Sequence, residues 1–243
     1  MKPGRYEKAV FFDLDDTLYD HLIPFYKVVQ TIVQPEDDFP YEAAYHRLRY
    51  YSDKLALELG GAGSDEYRQA VEEMRCRRFQ LALQEFDIEL SPEQAASMQA
   101  AYIGCQYEID MFEGAQELLK YLADSGYIVG LITNGTQEHQ MKKIAAMNLE
   151  NIIPSDRLFI SGDVGWDKPD RRIFAHVNEL TGTRPEHSYY VGDSWRNDVI
   201  GALAAGWHVI WFNHRRIEPE SGHSPHYIAG SYEELGEILK KVL

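Results

Sequence analysis

An α/β fold, with a doubly wound parallel sheet and an inserted all-helical domain, is predicted for this 243-residue chain on three observations. Five short apolar, β-branched or aromatic runs each end in a polar loop: 9–12, 127–132, 158–160, 188–191 and 209–212. Segments with helical periodicity separate most of these runs, as crossover helices separate parallel strands. Between the first run and the second lie roughly 90 residues with no strand signal, far more than the dozen or so that a simple crossover needs.

The strands alternate with amphipathic segments. Residues 114–125 carry Leu118, Leu119, Tyr121 and Leu122 and stop at Gly126. Residues 137–147 carry Met141, Ile144, Ala145 and Met147, and 170–180 carry Ile173, Phe174, Val177 and Leu180 before Gly182. Residues 198–205 end at Gly206. The last helix is announced by a capping box, Ser231-Tyr232-Glu233-Glu234, followed by Leu235, Ile238, Leu239 and Val242. Alternation of this kind gives a Rossmann-like parallel sheet flanked by helices. The interval from Asp20 to about Asp110 reads as helix throughout. Leu22, Phe25, Tyr26, Val29 and Val33 form a stripe, Ser64-Asp65-Glu66 opens a long segment, and Ser91-Pro92-Glu93-Gln94 is a helix start with proline at the first helical position. The expected organisation is a core of residues 1–19 and 110–243 with a helical domain, 20–109, between hinges near Tyr19–His21 and Asp110–Gly114.

The net charge of −15 weighs against nucleic-acid polymers and anionic membranes as partners. The apolar runs are all far shorter than the roughly 20 residues that cross a bilayer, and the stretch after the charged N-terminus is too short for a signal-peptide core. A cytoplasmic location is expected. Cys76 and Cys105 make no disulfide framework and read as small apolar residues.

Ligands of open parallel sheets bind beyond the carboxyl ends of the strands. The loops there hold Asp13-Leu14-Asp15-Asp16-Thr17, Thr133-Asn134-Gly135, Lys168-Pro169 and Gly192-Asp193-Ser194 with Asp198. If the strands are parallel neighbours, Asp13, Asp15, Asp193 and Asp198 crowd onto one edge. Like charges so close repel, so either some protonate or a cation joins them. An all-oxygen site suits Mg²⁺. With Lys168 as a fixed positive charge and Thr133 and Asn134 as donors, the set is suited to phosphoryl transfer. Singly, each motif also reads as an ordinary turn or helix start; their order and strand-end placement carry the reading jointly.

Asp13-x-Asp15-x-Thr17, Thr133-Asn134, Lys168-Pro169 and Gly192-Asp193-Ser194-x-x-x-Asp198 resemble the four motifs of the haloacid dehalogenase-like hydrolase superfamily, in that family's order. Ser161-x-x-x-Gly165-x-x-Lys168-Pro169-Asp170 and Phe112-x-Gly114-Ala115 resemble the phosphatase subgroup with a helical cap inserted after the first motif. The resemblance implies Asp13 as nucleophile and Asp15 as acid and then base. It implies Thr133 and the Asn134 backbone on the transferring oxygens, and Lys168 neutralising charge. Mg²⁺ would rest on Asp13, the Asp15 carbonyl and Asp193, with Asp198 orienting metal-bound water and Thr17 supporting the loop. The implied substrate is a small phosphorylated metabolite, such as a nucleoside monophosphate or a sugar phosphate.

Asp15 sets this reading apart from dehalogenation, because halide leaves without a proton. A phosphomutase shares every motif, and a non-catalytic binding module would have lost Asp13, Asp15 or Lys168. Other residues read as structural. Asp16 is a turn residue, Asn197 a helix-start residue, and His139, His214, His223 and His226 surface residues. Arg75, Arg77 and Arg78 read as a solvated basic run with a substrate clamp as the minority reading, and Tyr26, Tyr45, Tyr50 and Tyr51 as mostly core.

Overall fold

A computed structural model describes residues 8–61 and 64–243. By its contacts the chain divides into two compact units, 1–20 with 110–243, and His21–Ile109.

The first unit holds a six-stranded sheet. Its strands are β1 (Ala9–Phe12), β2 (Ile128–Thr133), β3 (Leu158–Ile160), β4 (Ser188–Gly192), β5 (His208–Phe212) and β6 (Tyr227–Ala229), in the spatial order β3-β2-β1-β4-β5-β6. Every pairing is parallel. β1 is therefore central and its neighbours diverge on either side, toward β2–β3 and toward β4–β6. The carboxyl ends of β1 and β4 lie side by side where the order reverses, the place at which such sheets open a crevice. All residues of β1, β2 and β4 are buried, so these strands read as continuous apolar runs.

The close pairing needs space. A Cβ on Gly130 of β2 would stand 2.5 Å from the Phe11 ring and 2.7 Å from the Arg157 carbonyl, so glycine there lets Phe11 lie across β2. Phe11 continues into an aromatic cluster with Phe159 and Trp207, and Trp207 Nε1 donates to Asn178 at 2.8 Å. β6 goes beyond the five runs read from the sequence. It is three residues long, with Ile228 half exposed, and its pairing to β5 rather than its pattern makes it a strand.

Within this unit the helices are α5 (Ala115–Asp124), α6 (Gln137–Ala146), α7 (Ser161–Val164), α8 (Arg171–Thr181), α9 (Gly201–Ala204) and α10 (Tyr232–Val242). The segment expected as one helix over 198–205 begins earlier, as a π-type turn at Trp195–Ile200 that leads into α9. The Ser194 carbonyl accepts from both Asp198 N and Val199 N, which widens the turn. The expected capping box of α10 is half formed. Ser231 Oγ accepts from Glu234 N, but the Glu234 carboxylate reaches Gly230 N instead of Ser231 N. Where the chain leaves this unit and returns to it, Phe112 N donates to the Leu18 carbonyl at 2.8 Å, and Tyr19 bridges Met111.

Among the described residues, the second unit has four helices, α1 (Leu22–Ile32), α2 (Tyr41–Glu58), α3 (Asp65–Gln84) and α4 (Pro92–Cys105). Ser91 and Gln94 form the complete reciprocal capping box at the start of α4. Their core gathers Phe25, Tyr45, Leu48, Phe79, Leu83 and Tyr102. The arginine run divides: Arg77 is exposed and Arg75 pairs with Glu72, whereas Arg78 donates to Ser52 and Gln99 and lies over the Phe79 and Tyr102 rings.

Phe79 is fully buried, stacked on Phe25 and edge-on to Tyr102. Phe79→Ala is expected to destabilise the helical unit by about 3–5 kcal/mol. Denaturant unfolding followed by far-ultraviolet circular dichroism, with its midpoint shifted down and ellipticity lost from the helical signal first, checks this.

Candidate active site

The four loops read from the sequence meet at the carboxyl ends of β1, β2 and β4. Asp13 follows β1 directly and its N–H donates to the Val191 carbonyl at 2.8 Å, continuing the ladder with β4. Lys168, on the loop after α7, places its Nζ 2.7 Å from Asp13 Oδ1, 2.7 Å from Asp198 Oδ1 and 2.8 Å from the Tyr190 hydroxyl. An ammonium has three hydrogens, and these contacts use all three. The Tyr190 hydroxyl in turn donates to the Ile132 carbonyl at 2.7 Å. Lys168, Asp13 and Asp198 are all buried.

Asp198 reaches this ammonium because the π-type turn carries it beneath Gly192. A Cβ on Gly192 would stand 2.4 Å from the Asp198 carboxyl carbon, so only glycine leaves room for the acid. Asp198 Oδ2 accepts from Ser194 N at 2.9 Å, and Ser194 Oγ, not Asn197, caps the turn. Asp193 is held by its main chain: its N–H donates to Thr17 Oγ1 at 3.1 Å, and its carbonyl accepts from Trp211 Nε1 at 2.8 Å. Thr17 is fixed by Tyr232, whose hydroxyl donates to the Thr17 carbonyl.

Asp13, Asp193 and Asp198 each offer a carboxylate oxygen within 4.8 Å of the others. Lys168 pairs with two of these carboxylates, Asp13 and Asp198. Burial, followed in strength by the pull of Lys168 and the opposing push of Asp198 and Asp15, leaves the Asp13 carboxyl raised to about 7. Burial works against the charge of Lys168, but Asp13 and Asp198 outweigh it and keep the lysine protonated. The cluster is short of positive charge, and its donors are all oxygens. A small hard dication such as Mg²⁺ fits both requirements, and Asp13, Asp193 and Asp198 are the carboxylates able to hold it.

The other predicted residues sit differently. Asn134 is joined to the Lys168 main chain twice, Nδ2 donating to the carbonyl and Oδ1 accepting from the N–H, so its side chain fixes the lysine loop. The peptide bond that follows, Lys168–Pro169, is cis. Thr133 Oγ1 accepts from Gln140 Nε2 at 2.6 Å. Asp15 is held by a second set of partners. Its Oδ1 accepts from Lys143 Nζ at 2.7 Å and from the Tyr19 hydroxyl, and its Oδ2 lies 3.2 Å from Gln140 Nε2. Asp16 has positive φ, as a turn residue would, and pairs with Arg215, which also holds Asp20. His226 is exposed, and its Nδ1 accepts from Val209 N at 3.1 Å; His214 is half-buried against Phe112 and Phe212.

Gln140, Lys143, Tyr190 and Arg215 were missed by sequence reasoning. A signal existed for two of them. On α6 the buried face runs Gln140, Lys143, Ile144 and Met147, so two polar residues occupy the apolar stripe of the helix. Tyr190 is hidden in a strand that reads as core, and Arg215 in a polar stretch with no pattern.

A family model for haloacid dehalogenase-like hydrolases matches residues 7–206. Glyceraldehyde 3-phosphate phosphatase of Pyrococcus furiosus is 26% identical over 242 residues, covering 96% of this chain and 93% of that protein. Human N-acylneuraminate-9-phosphatase is 25% identical over 242 residues, covering 97% and 94%. Among solved structures, the magnesium-bound HAD-hydrolase YfnB of Bacillus subtilis superposes with a TM-score of 0.72 at 23% identity, covering 97% of this chain and 99% of that one, which is a likeness of fold. With the family match running across β1–β4, the helical insertion and all four motif loops, this chain belongs to the haloacid dehalogenase-like hydrolases.

Proposed function

We propose that this chain is a Mg²⁺-dependent phosphohydrolase of small-molecule phosphate monoesters that turns over through an aspartyl phosphate on Asp13. The observation that carries the reading is the buried ammonium of Lys168 shared between Asp13 and Asp198, with Asp193 within reach of both. A nucleophilic carboxylate needs its charge balanced but its oxygen accessible, and a phosphoryl group arriving there brings further negative charge. Asp13, the Asp15 carbonyl and Asp193 would hold Mg²⁺, with Asp198 beside them. Bound there, the ion supplies the charge neutralisation that the phosphoryl oxygens require.

The chain's own groups do the rest. An Asp13 oxygen forms a bond to phosphorus while the bond to the ester oxygen breaks. Asp15 gives the departing oxygen a proton, then takes one from the water that attacks the aspartyl phosphate, which releases phosphate and restores Asp13. Lys168 holds Asp13 in place through both steps, and Tyr190 and Asp198 hold Lys168. Thr133 and the Asn134 N–H are assigned to the transferring oxygens. The relatives' names, phosphatases of glyceraldehyde 3-phosphate and of N-acylneuraminate 9-position esters, support a small phosphorylated metabolite as the substrate kind. The helical unit, inserted after the first motif, is proposed as the cap domain that discriminates among such substrates.

Hydrolysis of an aryl phosphate by purified protein tests this directly. Turnover is expected to vanish with a chelator and return with Mg²⁺, and Asp13→Asn is expected to lower kcat by about three orders of magnitude or more at unchanged melting temperature. Persistence of near-normal turnover in Asp13→Asn, or indifference to the chelator, removes the reading. Release of inorganic phosphate, measured on a sugar phosphate, separates hydrolysis from isomerisation.

Asp15→Asn is expected to slow alkyl phosphates far more than aryl phosphates, because only a poor leaving group needs the proton. Comparable losses on the two classes would deny Asp15 its acid role. Gly192→Ala is expected to drive the Asp198 carboxylate off Lys168 and lower kcat roughly ten-fold or more, as small displacements at a reacting centre do. A crystal structure of the variant, with Asp198 still 2.7 Å from Lys168, would contradict that.

A further inference from the structure

Asp15 is held by a set of donors that none of the four motifs contains. Lys143 and Gln140 lie three positions apart on α6, so their side chains leave the same face of the helix. Both are almost fully buried, at 2% and 1% exposure. Lys143 Nζ stands 2.7 Å from Asp15 Oδ1, and Gln140 Nε2 stands 3.2 Å from Asp15 Oδ2. The Tyr19 hydroxyl adds a second donor to Oδ1. A lysine is rarely buried unless paired, because desolvating an unpaired ammonium costs several kcal/mol. Among the ion pairs described for Lys143, Asp15 is the partner.

The two oxygens of Asp15 are therefore not equivalent. Oδ1 is committed to an ammonium and a phenol. Oδ2 lies near Gln140 Nε2, an amide with two hydrogens for three acceptors, Thr133 Oγ1 at 2.6 Å, the Asn134 carbonyl at 3.0 Å and Asp15 Oδ2 at 3.2 Å. Asp15 Oδ2 is the longest of the three. Gln140 also ties Asp15 to Thr133 and Asn134, so one helix face sets the orientation of the acid against the loop after β2.

We propose that Lys143, with Gln140, is a positioning residue for Asp15: it anchors Oδ1 and so fixes the orientation of the carboxyl group toward the oxygen that leaves the phosphoryl group. The proposal rests on the reading of Asp15 as the acid and base of a phosphohydrolase. Lys143 does not itself touch the reacting atoms. A purely structural lysine would, when replaced, lower stability or slow all substrates alike. A positioning lysine has a different signature, because a misaligned acid harms only the substrates that need protonation.

The test compares Lys143→Met, Lys143→Arg and Asp15→Asn with the parent protein on p-nitrophenyl phosphate and on glycerol phosphate, with Mg²⁺ present. For Lys143→Met the loss of kcat on the alkyl ester is expected to exceed the loss on the aryl ester roughly ten-fold or more, within the range that general acid catalysis spans, with KM changed less than about two-fold. Lys143→Arg is expected to recover part of the alkyl rate. If Lys143→Met does not fold, as judged by circular dichroism, Lys143→Gln carries the same comparison. Equal losses on the two esters, or a raised KM at unchanged kcat, overturn the proposal; the second result would make Lys143 a phosphate ligand. Asp15→Asn separates the two levels. If it discriminates between the esters and the Lys143 variants do not, the positioning role fails and the acid role stands. If it does not discriminate, the acid role itself fails.

Discussion

The site depends on one buried ammonium. Lys168 has its three hydrogens on Asp13, Asp198 and the Tyr190 hydroxyl, and it is almost wholly buried. Desolvating that charge is costly, and removing either acid would leave it only partly compensated. The three partners come from the end of β1, the turn after β4 and β4 itself, so the arrangement exists only when these strands are adjacent and parallel. The sheet order is in this sense a condition for the charge cluster, and the cluster in turn locks the strand ends together.

The same requirement explains local features that would otherwise look like defects. Gly192 removes a side chain from the end of β4 so that Asp198 can pass beneath it. The π-type turn widens the backbone at the point where Asp198 must turn inward instead of outward. Asn134 spends both ends of its amide on the Lys168 main chain, which binds the loop after β2 to the lysine loop. Each feature weakens regular secondary structure slightly, and each serves the placement of one charged group.

The sheet was legible because β1, β2, β4 and β5 are buried almost throughout and their residues repeat no polar alternation. The helix starts were legible where a side chain closes the first turn, as Ser91 and Gln94 do. β6 was not, since three residues carry no period and only pairing with β5 defines them. The loop acids and Lys168 stood out by their order along the chain. Lys143 did not, because a lysine in an amphipathic helix is ordinarily read onto the wet face. Only the position of Gln140 and Lys143 in the stripe of Ile144 and Met147 distinguishes them, and that stripe is recognised once the helix register is known. Arg215 had no local pattern at all; it acquires meaning through Asp16 and Asp20, nearly 200 positions away.

Two acids two residues apart on one loop would ordinarily act as a single electrostatic unit, and Asp15 does push the Asp13 carboxyl upward. The structure gives each its own ammonium. Asp13 has Lys168, delivered by the loop after α7, and Asp15 has Lys143, delivered by α6. The two lysines arrive from different crossovers to meet the two carboxylates. A single shared cation would force the acids to compete for it. Separate partners let Asp13 remain buried and fixed while Asp15 stays about a fifth exposed. In the proposed mechanism, the difference between a nucleophile and an acid is thus set by the surroundings of two identical side chains, and those surroundings are built by elements more than a hundred residues downstream.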